Sequence, residues 1–171
     1  MEKIILTGRG IIQVLYPNKD EEVIPCILLS LEKFRNKYGI PGGTFDNKLD
    51  SNTLDTAVRE ISEELGIEIK KSSAEKLFTY NGEFCDHDIY LLDASGTITI
   101  DSSELLGIGF TNKTLMIPLE KIERHVKYFI EHYLDMALKK RAPSNIKIPL
   151  RYIDGRNNDV ISWKEQCDSF K

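Results

Sequence analysis

The sequence has few cysteines and no long hydrophobic run, and each absence excludes a class of protein. Its three cysteines, Cys26, Cys85 and Cys167, are odd in number and far apart, which fits neither a disulfide framework nor a structural zinc site. We therefore expect a reducing compartment. No segment approaches the length of a membrane span, and the N-terminus lacks the apolar core of a signal peptide. These features predict a cytoplasmic protein without a membrane partner.

Positive charge is also not in excess. The chain has 27 acidic residues against 23 lysines and arginines, a formal net charge of −4. This balance argues against extended nucleic-acid binding, although a small basic patch could still hold a nucleotide. At 171 residues, 41% of them hydrophobic, the chain is long enough for one well-formed core and too short to suggest two independent domains.

A short segment near residue 60 concentrates negative charge. Glu60, Glu63 and Glu64 stand at i, i+3 and i+4, so a helix would place their carboxylates on one face. Like charges at this spacing repel each other. Arg59 could offset them, and a bound Mg²⁺ or Mn²⁺ is the better candidate, because hard cations take carboxylate oxygens. The simpler alternative is a solvated helix face, as is common for charge clusters.

The other face of this predicted helix is apolar. Asn52 is a good N-cap and Gly66 fits the left-handed position that ends a helix, so the pattern predicts a helix over residues 53–65. One face should pack against the protein and the other should carry the chemistry. The apolar positions have the spacing of a buried stripe: Leu54, Val58, Ile61 and Leu65.

These residues resemble the Nudix box. The segment 59–67 reads Arg-Glu-apolar-any-Glu-Glu-any-Gly-apolar, the second half of that motif, and Ile40-Pro41-Gly42-Gly43 is similar to the strand end and glycine turn that open it. The resemblance implies an α/β fold of the Nudix type, an α/β/α sandwich with a mixed sheet flanked by helices. It also implies an enzyme that hydrolyses pyrophosphate bonds.

The sequence departs from the family between the two halves of the motif. Gly43 lies sixteen residues before Arg59 instead of fourteen, so the connecting loop is two residues longer. The glutamate that the family has in this loop falls on Leu49 when counted from Gly43, and on Ser51 when counted from Arg59. Only Asp50, between them, offers a carboxylate.

The resemblance implies roles for the charged residues of the helix. Glu60, Glu63 and Glu64 would bind the divalent cations, Mg²⁺ or Mn²⁺, and Glu60 or Glu64 would assist the attacking water. Arg59 would orient a neighbouring glutamate through a charge-assisted hydrogen bond. These four residues form the expected catalytic set.

Further metal ligands are expected outside the helix. Gly43 and Glu104 are included in the expected metal site. Family members often add a carboxylate from a later loop, and Glu104 and Glu120 are both candidates for it. A first-turn charge on a later helix is the alternative interpretation of Glu120.

Other polar and aromatic residues are weighed separately. In the cluster Asp86-His87-Asp88, strand alternation places His87 on the face opposite the two carboxylates, so a joint metal site is not expected. His125 and His132 are interpreted as structural or exposed. An aromatic face could stack a nucleobase, although most aromatics are core residues. The aromatic candidates are Phe45, Tyr80, Phe84, Tyr90 and Phe110.

Strand and helix signals place the motif within a larger fold. Residues 4–15 and 23–31 are predicted as a hairpin or adjacent strands, and Asn81-Gly82 predicts a second hairpin turn. The glycines at 8 and 10 mark a bulge, a close backbone approach or a strand break. Residues 120–139 predict one helix of about five turns. Residues 1–140 are expected to form the Nudix domain, with 141–171 as an extension packed on it.

The resulting hypothesis is metal-dependent hydrolysis of a nucleoside diphosphate linked to another moiety. A nucleoside triphosphate, a dinucleoside polyphosphate, ADP-ribose, a nucleotide sugar and a capped RNA end all remain open as substrates, and so does a homodimer. The alternative is a non-catalytic domain of the same fold that senses a nucleotide. A third function, isomerisation of an isoprenoid diphosphate, would require an active-site cysteine such as Cys26 or Cys85.

Overall fold

The computed structural model describes residues 4–17, 23–113, 117–149, 152–154, 159–161 and 165. A 3-10 turn spans Leu119–Lys121. In chain order the elements are β1 (Ile5–Ile11), β2 (Gln13–Pro17), β3 (Val23–Glu32), β4 (Tyr38–Gly39), β5 (Gly42–Thr44), α1 (Thr53–Leu65), β6 (Glu68–Asn81), β7 (Cys85–Thr97), β8 (Leu105–Thr111), α2 (Arg124–His132), α3 (Leu134–Lys140), β9 (Asn145–Lys147), β10 (Tyr152–Asp154) and β11 (Asp159–Ile161).

The first sheet carries the glycine turn. Its strand order is β5-β1-β7-β6, with β9 also paired to β7. Strand β1 runs antiparallel to β5 and parallel to β7, so the sheet is mixed. Strands β6 and β7 form the hairpin predicted at Asn81-Gly82, and the Gly82 N–H donates to the Cys85 carbonyl oxygen at 2.8 Å. Strand β9 lies within 141–171, so part of this segment adds to the sheet.

The second sheet consists of β2, β3 and β4, with β8 paired to β3. Strands β2 and β3 form the hairpin that the sequence predicts. The apolar run of residues 4–15 divides at Ile12, because β1 belongs to the first sheet and β2 to the second. Ile11 and Ile12 are both fully buried, so the chain contributes to the core on both sides of this division.

Helix α1 lies very close to β1. A Cβ atom at Gly8 would come within 1.8 Å of the Thr53 carbonyl oxygen, and one at Gly10 within 2.7 Å of Ile61 Cδ1. Both glycines lie inside β1, so the prediction of a close backbone approach is confirmed and the alternative of a strand break is wrong. Only glycine allows the backbones of strand and helix to approach this closely.

The boundaries of α1 agree with the predicted range 53–65. The side chain of Asn52 accepts a hydrogen bond from the Asp55 N–H at 2.9 Å, which is the geometry of an N-cap. Gly66 has φ 65° and its N–H donates to the Ser62 carbonyl oxygen, as expected at a helix C-terminus. Local capping chemistry therefore fixes both ends of this helix.

The prediction of one long helix over 120–139 is wrong. The segment instead contains the 3-10 turn, α2 and α3, and the two helices are separated at Tyr133, where φ is −129° and ψ is −14°. The Tyr133 ring stacks on Phe78 of β6 with the ring centroids 4.5 Å apart. This contact with a distant strand occurs at the break, and a local periodic pattern cannot reveal it.

The sheets and their flanking helices give a mixed α/β architecture, as the sequence predicts. Its core is built from side chains of both sheets and of the helices, including Phe110, Ile61 and Phe129. Among the described residues, no helix is both long and apolar enough to cross a membrane.

Candidate active site

The two halves of the sequence motif are in contact. Gly43, in edge strand β5, pairs with Gly8 of β1, and α1 packs against both strands. A Cβ atom at Gly43 would lie 2.5 Å from Glu60 Cδ, so the Glu60 carboxylate sits directly over the glycine turn. The turn therefore provides a small, open surface beside a carboxylate of the helix.

Asp50, the carboxylate in the longer loop, contacts Arg59 of helix α1. It accepts hydrogen bonds from Arg59 Nε and Nη2, both at 2.9 Å, and a third from Thr56 Oγ1 at 2.9 Å. These donors, with Arg59 the largest influence, hold the pKa of Asp50 well below its usual range. Leu49 is 66% exposed, so the longer loop turns that residue to the surface and brings Asp50 to Arg59.

Arg59 connects this loop to the glutamates. Its Nη1 donates to Glu60 Oε1 at 2.7 Å and lies 3.7 Å from Glu63 Oε2. The hydrogen bonds that Arg59 donates to Asp50 are the main reason that the pKa of Arg59 is raised. The guanidinium therefore fixes the position of one Glu60 oxygen, which is the orienting geometry expected of Arg59.

The three glutamates differ greatly in exposure. Glu64 is only 8% exposed, whereas the Glu63 side chain is 62% exposed. Burial raises the pKa of Glu64 to about 8, and the negative charges of Glu60 and Glu32 act in the same direction. Burial likewise raises the pKa of Glu60. The alternative of a solvated helix face thus describes Glu63 and is wrong for Glu64.

This charge distribution fits a cation. Glu64 is a buried carboxylate near three other glutamates, and the positive charge of Arg9 only partly offsets their repulsion, so a divalent ion with oxygen ligands would relieve both the burial cost and the repulsion. In the described part of the chain, the side-chain conformations bring no group of three or more His, Cys, Asp and Glu residues together in an arrangement that could hold a metal ion. Arg59 currently binds Glu60, so full coordination would require side-chain rearrangement.

The two later carboxylates differ in their relation to the helix. Glu104 is exposed in the loop before β8, and its negative charge contributes to the raised pKa of both Glu60 and Glu64. Glu120 is exposed in the 3-10 turn and occupies a first-turn position. Of the two, Glu104 has the electrostatic relationship that a ligand at the helix would have.

A buried network that sequence reasoning missed holds the strand end before the glycine turn. Arg9 is 4% exposed, and its Nη1 donates to Glu32 Oε1 and to the Ile40 carbonyl oxygen, each at 2.8 Å. The Ile40 N–H donates to His125 Nε2 at 3.1 Å. Both backbone groups of Ile40 are thus bound by side chains. A charged residue between two glycines in an apolar strand was the available sequence signal for Arg9.

His87 belongs to the same network. It is 5% exposed, its Nδ1 lies 2.6 Å from Thr7 Oγ1, and it accepts from Arg9 Nε at 3.2 Å. Burial lowers the pKa of His87 to about 3. Asp88 points to the other face, where it accepts a hydrogen bond from Thr53 Oγ1 at 2.7 Å. The prediction that His87 and Asp88 lie on opposite faces of the strand is confirmed.

The remaining histidine and cysteine candidates differ in how deeply they are buried. His125 is buried and His132 is exposed, as predicted. Cys26 is buried, and burial raises its pKa to about 11, which disfavours a thiolate nucleophile. Cys85 is partly buried at the start of β7, and Cys167 lies outside the described residues.

The aromatic candidates also differ in how deeply they are buried. Phe110 is a fully buried core residue, and the Tyr90 hydroxyl lies 2.7 Å from Thr53 Oγ1. Tyr80 stacks on His87. Phe84 is 62% exposed, and Phe45 is half-buried in the loop that follows β5. Phe45 therefore differs from the others in lying directly after the glycine turn of β5.

Comparison with protein-family models finds no matching family, and comparison with curated proteins finds no match. Solved structures do match. A MutT/nudix family protein from Enterococcus faecalis is 22% identical over 64% of this chain with a TM-score of 0.51, and the chain spans only 44% of that protein. The NUDIX domain of Shewanella oneidensis NrtR, solved with ADP ribose, is 20% identical over 77% of this chain and 86% of its own, with a TM-score of 0.59.

A third structure, an ADP-ribose pyrophosphatase from Streptococcus suis, is 20% identical over 86% of this chain and 100% of its own, with a TM-score of 0.52. These neighbours place the architecture, mixed sheets flanked by helices, in one structural class. The chain has the Nudix fold. The fold expected from the glycine turn and the glutamate helix is thereby confirmed.

Proposed function

We propose that this protein is a hydrolase that cleaves a pyrophosphate bond in a nucleoside diphosphate linked to another moiety, with Mg²⁺ or Mn²⁺ as cofactor. The observation that carries the proposal is the buried Glu64 carboxylate, crowded by the charges of Glu60, Glu32 and Glu104, beside a glycine turn. A protein keeps such an unfavourable arrangement where a function requires it. The Nudix fold supports the same reaction class.

Glu60, Glu63 and Glu64 would hold the cation, with Gly43 and Glu104 as further ligands. When bound, the cation would neutralise charge on phosphate oxygens and increase the acidity of a coordinated water. Glu64 is held in a buried position by α1, so its carboxylate has little freedom to move. Glu63, exposed at the outer side of the helix, would complete the set by turning away from Arg59.

The chain's own residues would orient the reacting groups. Asp50 fixes Arg59, and Arg59 fixes Glu60 Oε1, so Glu60 Oε2 remains above Gly43 and can accept a proton from the attacking water. Glu64 is the other candidate for this proton, since helical spacing places its carboxylate on the same face as that of Glu60. The network of Arg9 and His125 would keep the strand before the turn in register with these carboxylates.

The test is a panel of nucleoside triphosphates, dinucleoside polyphosphates, nucleotide sugars and ADP-ribose, with Mg²⁺ or with a chelator, and with products identified by mass spectrometry. ADP-ribose belongs in the panel because one structural neighbour was solved with it and another is a pyrophosphatase for it. We expect metal-dependent release of a nucleoside monophosphate and a second phosphorylated product.

Two variants separate catalysis from binding. Glu63→Gln and Glu64→Gln should each reduce turnover by about 100-fold or more, because each removes a ligand charge from the reaction centre. Glu68→Gln is the matched control, since Glu68 is an exposed carboxylate on the following strand. Near wild-type turnover in both active-site variants would contradict the proposal. Tight nucleotide binding without any product would instead favour the nucleotide-sensing alternative.

A further inference from the structure

The turn between β3 and β4 concentrates positive charge at the surface. Residues 33–37, which we call the basic turn, read Lys-Phe-Arg-Asn-Lys, and all five are exposed. Two backbone hydrogen bonds close the turn: the Asn36 N–H donates to the Glu32 carbonyl oxygen at 3.0 Å, and the Glu32 N–H donates to the Lys37 carbonyl oxygen at 3.4 Å. Asn36 has φ 51°, a left-handed conformation that asparagine tolerates. Local contacts therefore shape the backbone and leave the side chains outside it.

The cations of the basic turn have little counter-charge. Arg35 Nη1 lies 3.7 Å from Glu123 Oε2, beyond hydrogen-bond distance, and the Arg35 side chain is 48% exposed. Within the described ranges, neither Lys33 nor Lys37 forms a salt bridge. Three positive groups within five residues are therefore available to an anion that carries several charges, such as a chain of phosphates.

An exposed aromatic ring lies among these cations. Phe34 follows Lys33 and precedes Arg35, and at 96% exposed it is the most exposed large hydrophobic residue in the described part of the chain. A nucleobase can cover such a ring, because every base has a face that stacks on an aromatic side chain. Positively charged groups along the phosphates and a ring for a base are the two elements by which proteins hold single-stranded nucleic acid.

An anionic membrane is the other surface that basic and aromatic side chains fit. Membrane binding increases with the apolar area that is buried, and Phe34 is the single apolar residue of the basic turn. Carboxylates also flank the turn, because the Lys33 N–H donates to the Glu104 carbonyl oxygen at 3.4 Å and Glu123 lies beside Arg35. Negative charge on both sides disfavours a broad anionic surface and permits a narrow strand.

We propose that the basic turn binds a short segment of single-stranded nucleic acid, with phosphates on its three cations and one base stacked on Phe34. The net charge of −4 opposes binding over the rest of the surface, so the contact covers only a few nucleotides. The site is independent of the proposed hydrolase function, because none of its residues is assigned to the cation or to the reaction.

The first experiment measures binding as a function of salt. The whole protein is titrated, with a chelator present, into fluorescein-labelled oligo(U) or oligo(dT) about twelve nucleotides long, and fluorescence anisotropy is recorded. We expect similar affinities for the two strands, because phosphates and bases are common to RNA and DNA. The logarithm of the affinity should fall with the logarithm of salt concentration with a slope near about −2, since each of three phosphate contacts contributes about −0.7 on a single strand.

Variants that remove charge and variants that remove the ring should differ in their salt dependence. Lys33→Gln should weaken binding and make the slope shallower by about 0.7. Phe34→Ala should weaken binding about tenfold without changing the slope, because it removes a stack and no phosphate contact. The matched controls are Lys70→Gln, at an exposed lysine of β6, and Phe84→Ala, at an exposed phenylalanine of the turn between β6 and β7. Both controls should bind like the wild type.

A third variant should increase the affinity. Glu123→Gln keeps the size of the side chain and removes the negative charge beside Arg35, so the affinity for either strand should rise about two- to threefold at low salt. A damaged fold would not produce a gain of binding. Glu68→Gln, at an exposed carboxylate of β6, is the control and should leave the affinity unchanged.

Three results would overturn the proposal. The first is the absence of binding to both strands at low salt. The second is binding that Phe34→Ala leaves unchanged and that inorganic polyphosphate matches in affinity, which would define a general anion site. The third is co-sedimentation with phosphatidylserine vesicles that depends on Phe34, without oligonucleotide binding, which would identify a membrane as the partner. Turnover of a small nucleotide should be the same in Phe34→Ala as in the wild type, so the hydrolase proposal is tested separately.

Discussion

Asp50 binds Arg59 through two parallel hydrogen bonds, Nε to Oδ1 and Nη2 to Oδ2, each 2.9 Å long. The Asp50 side chain is only 1% exposed and comes from the loop, whereas Arg59 belongs to α1. Because the same guanidinium donates to Glu60, the loop carboxylate determines where a glutamate of the candidate site lies. The extra length of the loop is thus compatible with an oriented Glu60.

Asp50→Asn should destabilise the fold and reduce turnover. The substitution keeps the shape of the side chain but leaves Arg59 without its buried counter-charge, and breaking a buried pair in this way costs about 3 kcal/mol. The measurement is urea unfolding followed by circular dichroism, together with kcat on the best substrate. Asp46→Asn, in the same loop, is the stability control. Equal unfolding midpoints for all three proteins would show that the pair contributes nothing.

The sequence predicts α1 well because its ends depend on local chemistry. Asn52 caps the first turn and Gly66 adopts the left-handed conformation, and both effects involve residues only three or four positions away. Asp50 could not be assigned from the sequence, because its role depends on how the loop folds back on the helix. Counting residues from either side of the loop leads to Leu49 or Ser51 instead.

The burial of Glu64 also could not be predicted from the sequence. Helical spacing places Glu60, Glu63 and Glu64 on one face, but exposure depends on what packs against that face. Two of the charges that act on Glu64, those of Glu32 and Arg9, come from strands far away in the chain. Periodicity therefore predicts the cluster, and only the tertiary structure distinguishes its buried member from its exposed one.

The buried histidines should make stability depend on pH. The pKa of His87 is lowered to about 3 by burial, and burial also lowers that of His125. In unfolded chains both would titrate near pH 6.5, so the unfolded state binds more protons below that pH. The contribution of the two histidines to stability is therefore complete above about pH 6.5 and falls as the pH decreases, by up to about 1.4 kcal/mol per pH unit for each histidine. Glu64, whose pKa is raised to about 8, acts in the opposite direction between about pH 4.5 and pH 8.

His87→Asn tests this linkage. The variant removes one buried histidine, so the slope of unfolding free energy against pH between about pH 6 and pH 5 should be lower than that of the wild type by about 1 kcal/mol per pH unit. His132→Asn is the control, since His132 is exposed and should leave the slope unchanged. The measurement is chemical denaturation at half-unit steps of pH. A slope in His87→Asn equal to that of the wild type would mean that His87 is not held neutral in the folded protein.

Divalent cations should stabilise the folded protein. An ion that binds the glutamates only in the folded state raises its stability by about 2.7 kcal/mol at 100 times the dissociation constant. Differential scanning calorimetry with Mg²⁺ and with a chelator measures this effect. In Glu64→Gln the Mg²⁺ effect should be much smaller, whereas the chelated variant should be more stable than the chelated wild type, because burying a carboxylate is costly. Glu68→Gln should behave like the wild type in both conditions.

Two glycine substitutions should separate damage to the site from damage to the fold. In Gly43→Ala the new Cβ would meet Glu60 Cδ at 2.5 Å, and a flexible side chain can move away from it. In Gly8→Ala the Cβ would meet the Thr53 carbonyl oxygen at 1.8 Å, and backbone cannot move without separating α1 from β1. We therefore expect Gly43→Ala to weaken metal binding with little loss of stability, and Gly8→Ala to destabilise the fold.

The comparison requires both measurements on both variants. Gly8→Ala should lower the unfolding free energy by about 1–3 kcal/mol or more, as overpacking does. Gly43→Ala should unfold close to the wild type while its apparent affinity for Mg²⁺, followed by calorimetric titration, decreases because the Glu60 carboxylate is displaced from the turn. If Gly43→Ala instead bound Mg²⁺ as tightly as the wild type, the position of Glu60 over the glycine turn would have no part in holding the cation, and the site would have to be built from Glu63, Glu64 and Glu104 alone.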